Sequence, residues 1–292
     1  MTNPIRFDFR FRVWLMAGLA AAATGAMFCV PRFTDPPWYY TFADQRKMLG
    51  TPNFMDVVSN VPWAVVGIPG LLLLARKRKS GPGSPFTEDW ERGAFAVLFA
   101  AIGLVAIGSA WFHLAPTPAT LVWDRLPMAL IFMSVFGITI AERIDMRAGR
   151  MLFLPLLALG ISSVLYWRRT EAIGQGDVRF YFLIQFFPML AVPILLLLFP
   201  ARYTRTADLA VCLAWYALAK VFELGDAGVF AATGIVSGHT LKHVAGALAS
   251  VWLLRMVRFR RPTCASPSAS GNAHCRPEEG QPRGDSRPIR KR

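Results

Sequence analysis

Eight long apolar runs, each separated from the next by a short polar or basic segment, set the pattern of this chain: 13–30, 55–75, 94–114, 119–141, 151–167, 180–199, 209–230 and 235–257. A helix rises 1.5 Å per residue, so about 20 residues cross the ~30 Å hydrocarbon layer of a bilayer. Each run therefore predicts a membrane-spanning helix. Lipid offers no hydrogen bonds to an open backbone, so every span must satisfy its own N–H and C=O groups. Ten-residue segments of alternating polarity, the mark of a membrane β-barrel, are absent. The predicted fold class is all-α: a polytopic membrane helix bundle of seven core transmembrane helices plus one additional N-terminal helix. The organisation predicted is an N-terminal segment at 1–34 carrying the additional helix, a seven-helix domain at 35–258 and a basic, disordered cytoplasmic tail at 259–292.

The first run follows Arg6, Arg10 and Arg12, and a secretory leader has that arrangement too. Its length favours a retained helix. The residues before Cys29 read AMF, which lack the small side chains of a lipoprotein cleavage site, so no lipid attachment is expected.

Composition agrees with the membrane reading, since 54% of the 292 residues are hydrophobic, more than one soluble core would use. The formal charge of +14 raises nucleic acid as a partner, but the basic residues are confined to particular loops. On one side stand Arg6, Arg10, Arg12, Arg76, Lys77, Arg78, Lys79, Arg92, Arg143, Arg147, Arg150, Arg202 and Arg205. The other side has Arg32, Arg46, Lys47, Arg168, Arg169 and Arg179. Positively charged loops stay in the cytoplasm, which predicts cytoplasmic termini and an inner-membrane, multi-pass protein. The bilayer, not nucleic acid, is the expected partner. Cys29 and Cys212 lie in apolar runs and Cys264 and Cys275 in the tail, so no disulfide framework is implied. From Phe259 onward Pro, Ser, Gly and Arg replace the apolar residues, a composition that cannot bury enough surface to order itself.

Ionisable residues inside a span cost about 2.5–3.5 kcal/mol each on insertion scales, so those that persist face a cavity or a partner. Following the spans in alternation, Ser109 and His113 fall at the outer end of the third, Asp124 at the outer start of the fourth, and His239 and His243 at the outer start of the eighth. His239 and His243 are one helical turn apart and share a face, as do Ser109 and His113. Three imidazoles with one open tetrahedral position are the donor set of catalytic zinc. H-x3-H alone is a weak pattern, since such pairs also bind haem or simply hydrogen-bond. Three of the four histidines at one depth strengthen it.

Asp124 admits two readings, a helix N-cap or a proton-accepting partner of a metal centre. Arg125 reads as an interfacial anchor, and so do Trp63, Trp111, Trp123 and Trp167. Glu223 is read either as an acceptor that orients a metal-binding imidazole or as the i, i+3 partner of Lys220, with the pair slightly favoured. Asp56, Ser59 and Asn60 reach the same level, and joining helices by hydrogen bonds is preferred for them over lining the site.

Taken together, Ser-x3-His in SAWFH, an Asp eleven residues after that His in VWDRLPM, and His-x3-His in GHTLKH resemble the alkaline ceramidase family of intramembrane zinc hydrolases. That family belongs to a superfamily that includes adiponectin-receptor-like proteins. PNFMDVVSNVPWAVVG resembles its first core helix and AKVFELGD its penultimate one, so the resemblance covers about residues 44–257. It implies a zinc ion on His113, His239 and His243, with Ser109 and Asp124 acting on the water and the reacting carbonyl. The eukaryotic ceramidases also bind calcium through an acidic cluster near the first core helix. Here ADQRKMLGTPNF has Asp44 and a neutral Asn53 but no run of carboxylates, and a hard cation wants several oxygen ligands, so calcium is not carried over.

The expected activity is zinc-dependent hydrolysis of a lipid amide, with ceramide or a related N-acyl lipid as the implied substrate and a fatty acid and a lipid amine as products. A non-catalytic receptor-like relative with structural zinc and a membrane haem protein are the rival classes.

Overall fold

The computed structural model describes residues 7–76, 80 and 84–263. The described residues form helices joined by loops and turns, and six of the helices are long and apolar enough to cross a membrane. They are α1 (Phe9–Cys29), the pair α2 (Phe54–Val58) and α3 (Val61–Arg76), α4 (Asp89–Leu114), α5 (Pro118–Arg143), α6 (Met146–Ala172) and α7 (Arg179–Leu198). After them come α8 (Thr206–Leu224), the short α9 (Asp226–Thr233) and α10 (Gly238–Phe259). Arg6, Lys77, Arg78, Lys79, Cys264, Cys275 and the tail predicted beyond 263 lie outside the described residues.

Local chemistry starts these helices where they start. Asp8, Asp145 and Ser237 place a side-chain oxygen on the first-turn N–H groups of α1, α6 and α10, and capping boxes open α4 (Glu88 with Glu91) and α5 (Thr117 with Thr120). Pro118, the first residue of α5, has no N–H to waste and is already bent to the helical φ.

The bundle has two packing centres. α5 runs through one, against α4, α6 and α7; α10 runs through the other, against α8 and α3, with α4 joining the two. The ordered core is rich in Phe95, Phe99, Phe112 and Trp167, while residues such as Leu197 and Val65 point outward to where lipid would lie. α1 buries only Met16 and rests on α7, tied at one end by Arg12 donating to the Leu198 carbonyl and at the other by Arg179 donating to the carbonyls of Met27 and Val30.

Three expectations need correction. The seventh apolar run, 209–230, is not one helix: it breaks at Gly225, because Asp226 turns back to accept hydrogen bonds from the backbone N–H of Ala43 and of His239. Gly238 permits that bend, since a Cβ there would collide with the Phe222 carbonyl. The segment assigned to the disordered tail is ordered in its first part. Arg260 is fully buried, donates to the Pro85 carbonyl, pairs with Glu142 and Glu91, and lies over the rings of Tyr203 and Phe95.

Arg125, Trp63 and Trp167 are core residues, not interfacial anchors. Arg125 pairs with buried Asp35 at 2.5 Å and stacks 4.1 Å over the ring of Trp167 and 4.8 Å over Tyr181. A guanidinium sandwiched between aromatic faces and paired with a carboxylate replaces much of the hydration it loses. Trp111 and Trp123 do remain half-exposed, stacked on each other at 5.6 Å.

Candidate metal centre

Four chain segments meet at one end of the bundle: the C-terminus of α4, the N-terminus of α5, the α2–α3 junction and the N-terminus of α10. His113 arrives on α4, whose last turn is secured by Asn53 donating from Nδ2 to the His113 carbonyl at 2.8 Å. Asn53 holds a left-handed backbone (φ 45°), a conformation asparagine adopts more readily than most residues. His239 and His243 arrive one turn apart on α10. That helix start is fixed three ways: Ser237 caps it, Asp226 accepts from the His239 N–H, and Asp56 accepts from the Thr240 hydroxyl at 2.7 Å.

The three imidazoles are buried, with one ligand nitrogen from each within 4.8 Å of the others. Nε2 of His113 and Nε2 of His243 stand 3.2 Å apart. Such a group can hold a metal ion. The ring centroids lie 4.8–4.9 Å from one another, which leaves no room for a porphyrin between any two.

Ser59 forms the support for His243. Its Oγ is 2.8 Å from His243 Nδ1 and 3.1 Å from the Asp56 carbonyl. With a metal ion on Nε2, Nδ1 would carry the proton and donate to Ser59, whose hydroxyl donates in turn to the Asp56 carbonyl; such a chain favours that tautomer by hydrogen bonding. Asn60 also approaches His243 Nδ1, at 3.4 Å. Asp56, Ser59 and Asn60 thus both join helices and support the site, where sequence alone preferred the first role.

A chamber of about 60 Å³ opens beside the histidines, and Ser109, Asp124 and His243 are in its wall. Ser109 is buried and Asp124 half-buried. The α4–α5 crossing brings them together: Gly108 lets the two backbones touch, since a Cβ there would meet the carbonyl of Trp123, the residue before Asp124. Asp124 lies within α5, beyond its first turn, and the cap is Thr117, so the capping reading of Asp124 fails.

The sequence left three contributors, Phe42, Tyr39 and Lys242, unnamed, and placed Asp226 on the seventh span without giving it a role. Phe42 packs its ring 4.6 Å from His113 and 4.9 Å from His239 and covers the centre. Tyr39, in the short 3-10 turn Pro37–Tyr40, lines the chamber on one face and meets Arg125 on another; burial raises its phenol pKa and keeps it neutral. Lys242 reaches His239 and Glu223. Asp226 ties the residues before Asp44 to α10. Glu223 takes hydrogen bonds from Lys220 and Lys242, so the Lys220 pair is present, and its link to an imidazole runs through Lys242. Asp44 is engaged on both oxygens by Arg46, whose hydrogen bonds hold its carboxyl below the usual range.

A cleft of about 320 Å³, with Trp38, Gln45 and Ala227 in its wall, reaches the same centre from another side at Tyr39, Glu223 and His239. An apolar cavity of about 50 Å³ continues from the chamber toward the middle of the bundle past Trp63, Met128 and Tyr216. Polar and apolar approaches therefore converge on one point.

Comparison of the chain with models of known protein families, with known proteins and with solved structures returned no match.

Proposed function

We propose that this protein is an integral membrane zinc-dependent amidohydrolase that cleaves the N-acyl amide bond of ceramide or a related lipid. The observation that carries the reading is the meeting of three histidines beside a chamber walled by a serine and an aspartate. Two nitrogens bound to zinc at 2.0–2.1 Å in a tetrahedron stand about 3.3 Å apart. The 3.2 Å between Nε2 of His113 and of His243 fits that spacing. All-nitrogen donation suits zinc better than calcium or magnesium, which prefer oxygen.

His113, His239 and His243 would hold the ion, which when bound polarises a carbonyl and makes water acidic near neutral pH. The remaining roles fall to the chain. Asp124 accepts the proton of the attacking water and returns it to the amine as the C–N bond breaks. Ser109 donates a hydrogen bond to the carbonyl oxygen as charge develops there; losing such a donor costs about 10²–10³ in rate in other enzymes. The apolar cavity accommodates part of an acyl chain, and the polar cleft admits water. Serine is not the nucleophile in this scheme, because no histidine is left over to serve as its base.

The seven-helix core reading is retained here, with α2 and α3 together as the first member, α8 and α10 as the last two, and α1 as the addition. The basic residues Arg10, Arg12, Arg76, Arg92, Arg143, Arg147, Arg150, Arg202 and Arg205 belong to the end opposite the histidines, which supports an inner-membrane placement with the centre toward the extracytoplasmic side.

The test is a fatty-acid-release assay over a panel of N-acyl lipids with purified protein, alongside His239→Ala and Asp124→Ala. Release that needs both residues is expected. Full release by both variants would overturn the assigned site, and zinc binding with no release from any lipid would overturn the hydrolase reading in favour of a non-catalytic relative.

A further inference from the structure

The hydrolytic scheme leaves a charged cluster unused. Lys242 lies on α10 between the two histidines, with Nζ 3.0 Å from Glu223 Oε1 and 3.2 Å from His239 Nε2. Lys220 holds the other oxygen of Glu223 at 2.5 Å. All three side chains are in the wall of the chamber that Ser109 and Asp124 also line. Their side chains are 18%, 29% and 11% exposed for Lys242, Lys220 and Glu223, so none is a freely solvated surface charge.

Charge balance gives the cluster its meaning. Lys220, on the same helix, alone would neutralise Glu223; Lys242 is a second ammonium, and its pair with Glu223 also joins α10 to α8. Lysine is a compact, strongly hydrated cation that is costly to keep at membrane depth. The chamber holds two ammonium groups against two carboxylates, Glu223 and Asp124, and a dication on three neutral imidazoles would add two positive charges. A partly enclosed, low-dielectric space with that excess concentrates anions. Lys242 is the ammonium in contact with the histidine cluster.

We propose that Lys242 is a carboxylate-binding residue, its ammonium receiving the head of a lipid acid in the chamber beside the three histidines. Glu223 and Lys220 hold it in position. The carboxylate has two sources: the acid that amide hydrolysis releases, or a carboxylate already on the substrate, as in an N-acyl amino acid. The choice of source rests on the hydrolase reading; the binding itself rests only on a metal ion held by the three histidines, which supplies the chamber's net positive charge.

The full-length protein in detergent is titrated with palmitate and with methyl palmitate, a neutral analogue of the same chain. Palmitate is expected to bind more tightly, and Lys242→Met to weaken it about ten- to a hundredfold, the range of a charge-assisted hydrogen bond, with Lys242→Arg close to wild type. Methyl palmitate should change less than about twofold by the same argument. Equal binding of acid and ester, or of palmitate to wild type and Lys242→Met, overturns the proposal. Should Lys242→Met fail to fold, carboxyl-labelled palmitate on Lys220→Met, which leaves Lys242 as the lysine in the chamber wall, decides by NMR: contact with lysine ε-protons is expected, and its absence refutes the assignment.

Turnover then separates the sources. A raised KM for N-palmitoylglycine but not for ceramide in Lys242→Met marks a substrate carboxylate, and relief of palmitate inhibition marks the product acid. Lysine-dependent palmitate binding without any amide hydrolysis would keep this inference and remove the hydrolase reading; hydrolysis without lysine-dependent binding would do the reverse.

Discussion

Gly246→Ala tests how closely the histidine centre depends on helix spacing. Gly246 sits on α10 three residues after His243, and a Cβ there would stand 2.5 Å from Cζ2 of Trp63 on α3, whereas real Cβ contacts stay at 3.0 Å or more. The gap must open by the difference, 0.5 Å. Trp63 is 6% exposed and cannot swing into solvent, so the helices take up the displacement. Added to the 2.8 Å between Ser59 Oγ and His243 Nδ1, the same 0.5 Å gives about 3.3 Å, outside the 2.7–3.2 Å range of an N–H···O bond. Overpacking costs about 1–3 kcal/mol, and losing the support of a ligating imidazole costs about 10- to 100-fold in metal affinity. Thermal unfolding and zinc competition with a chelator of known affinity measure the two effects. Trp63→Phe in the Gly246→Ala background removes the colliding ring atoms and should restore part of both. Gly93→Ala is the control: nothing lies within 4 Å of its Cβ position, and the helix should gain about 0.5–1 kcal/mol. A Gly246→Ala protein that melts with the wild type and binds zinc equally well would refute the reasoning.

Three further outcomes follow from the geometry. Ser59→Ala should weaken zinc binding about 10- to 100-fold with little change in melting, measured by the same competition, because it removes the acceptor of the His243 Nδ1 proton. Arg125→Leu should destabilise the fold by about 3–5 kcal/mol in denaturant unfolding by leaving Asp35 buried without its cation, and adding Asp35→Leu should recover much of the loss. Hydrogen bonds from Arg179 lower the Asp177 pKa to about 2, so this carboxylate contributes stability above its unfolded value of about 3.9 that disappears as pH falls through 2. Melting curves of wild type and Asp177→Asn should accordingly differ above pH ~4 and converge near pH ~2; parallel curves throughout would contradict this.

Local pattern and through-space pairing were not equally legible. The apolar runs located α1 and α3–α7 because span length is a one-dimensional property, and the i, i+4 offset put His239 and His243 on one face because helix periodicity is local. The alternation of spans also brought His113 to the same end. Gly225 hid inside an apolar run, since hydropathy does not register that Asp226 must bend back to Ala43 and His239. Arg125 beside Trp123 looks like any interfacial pair until α6 and the residues before α2 supply Trp167 and Asp35. Arg260 needed Glu91 and Glu142, each more than 100 residues away. Lys242 did carry a readable clue, a lysine between two candidate ligands in a span, where an unpaired charge is expensive.

The proposed chemistry requires one metal ion shared by His113, His239 and His243. Metal analysis of purified protein beside His113→Ala, His239→Ala and His243→Ala tests it most directly. The prediction is about one zinc per wild-type chain and a loss of most of it in each variant, as expected when one of only three protein ligands is removed. Wild-type metal content in all three variants, or a wild-type protein that takes up no zinc at all, would contradict it.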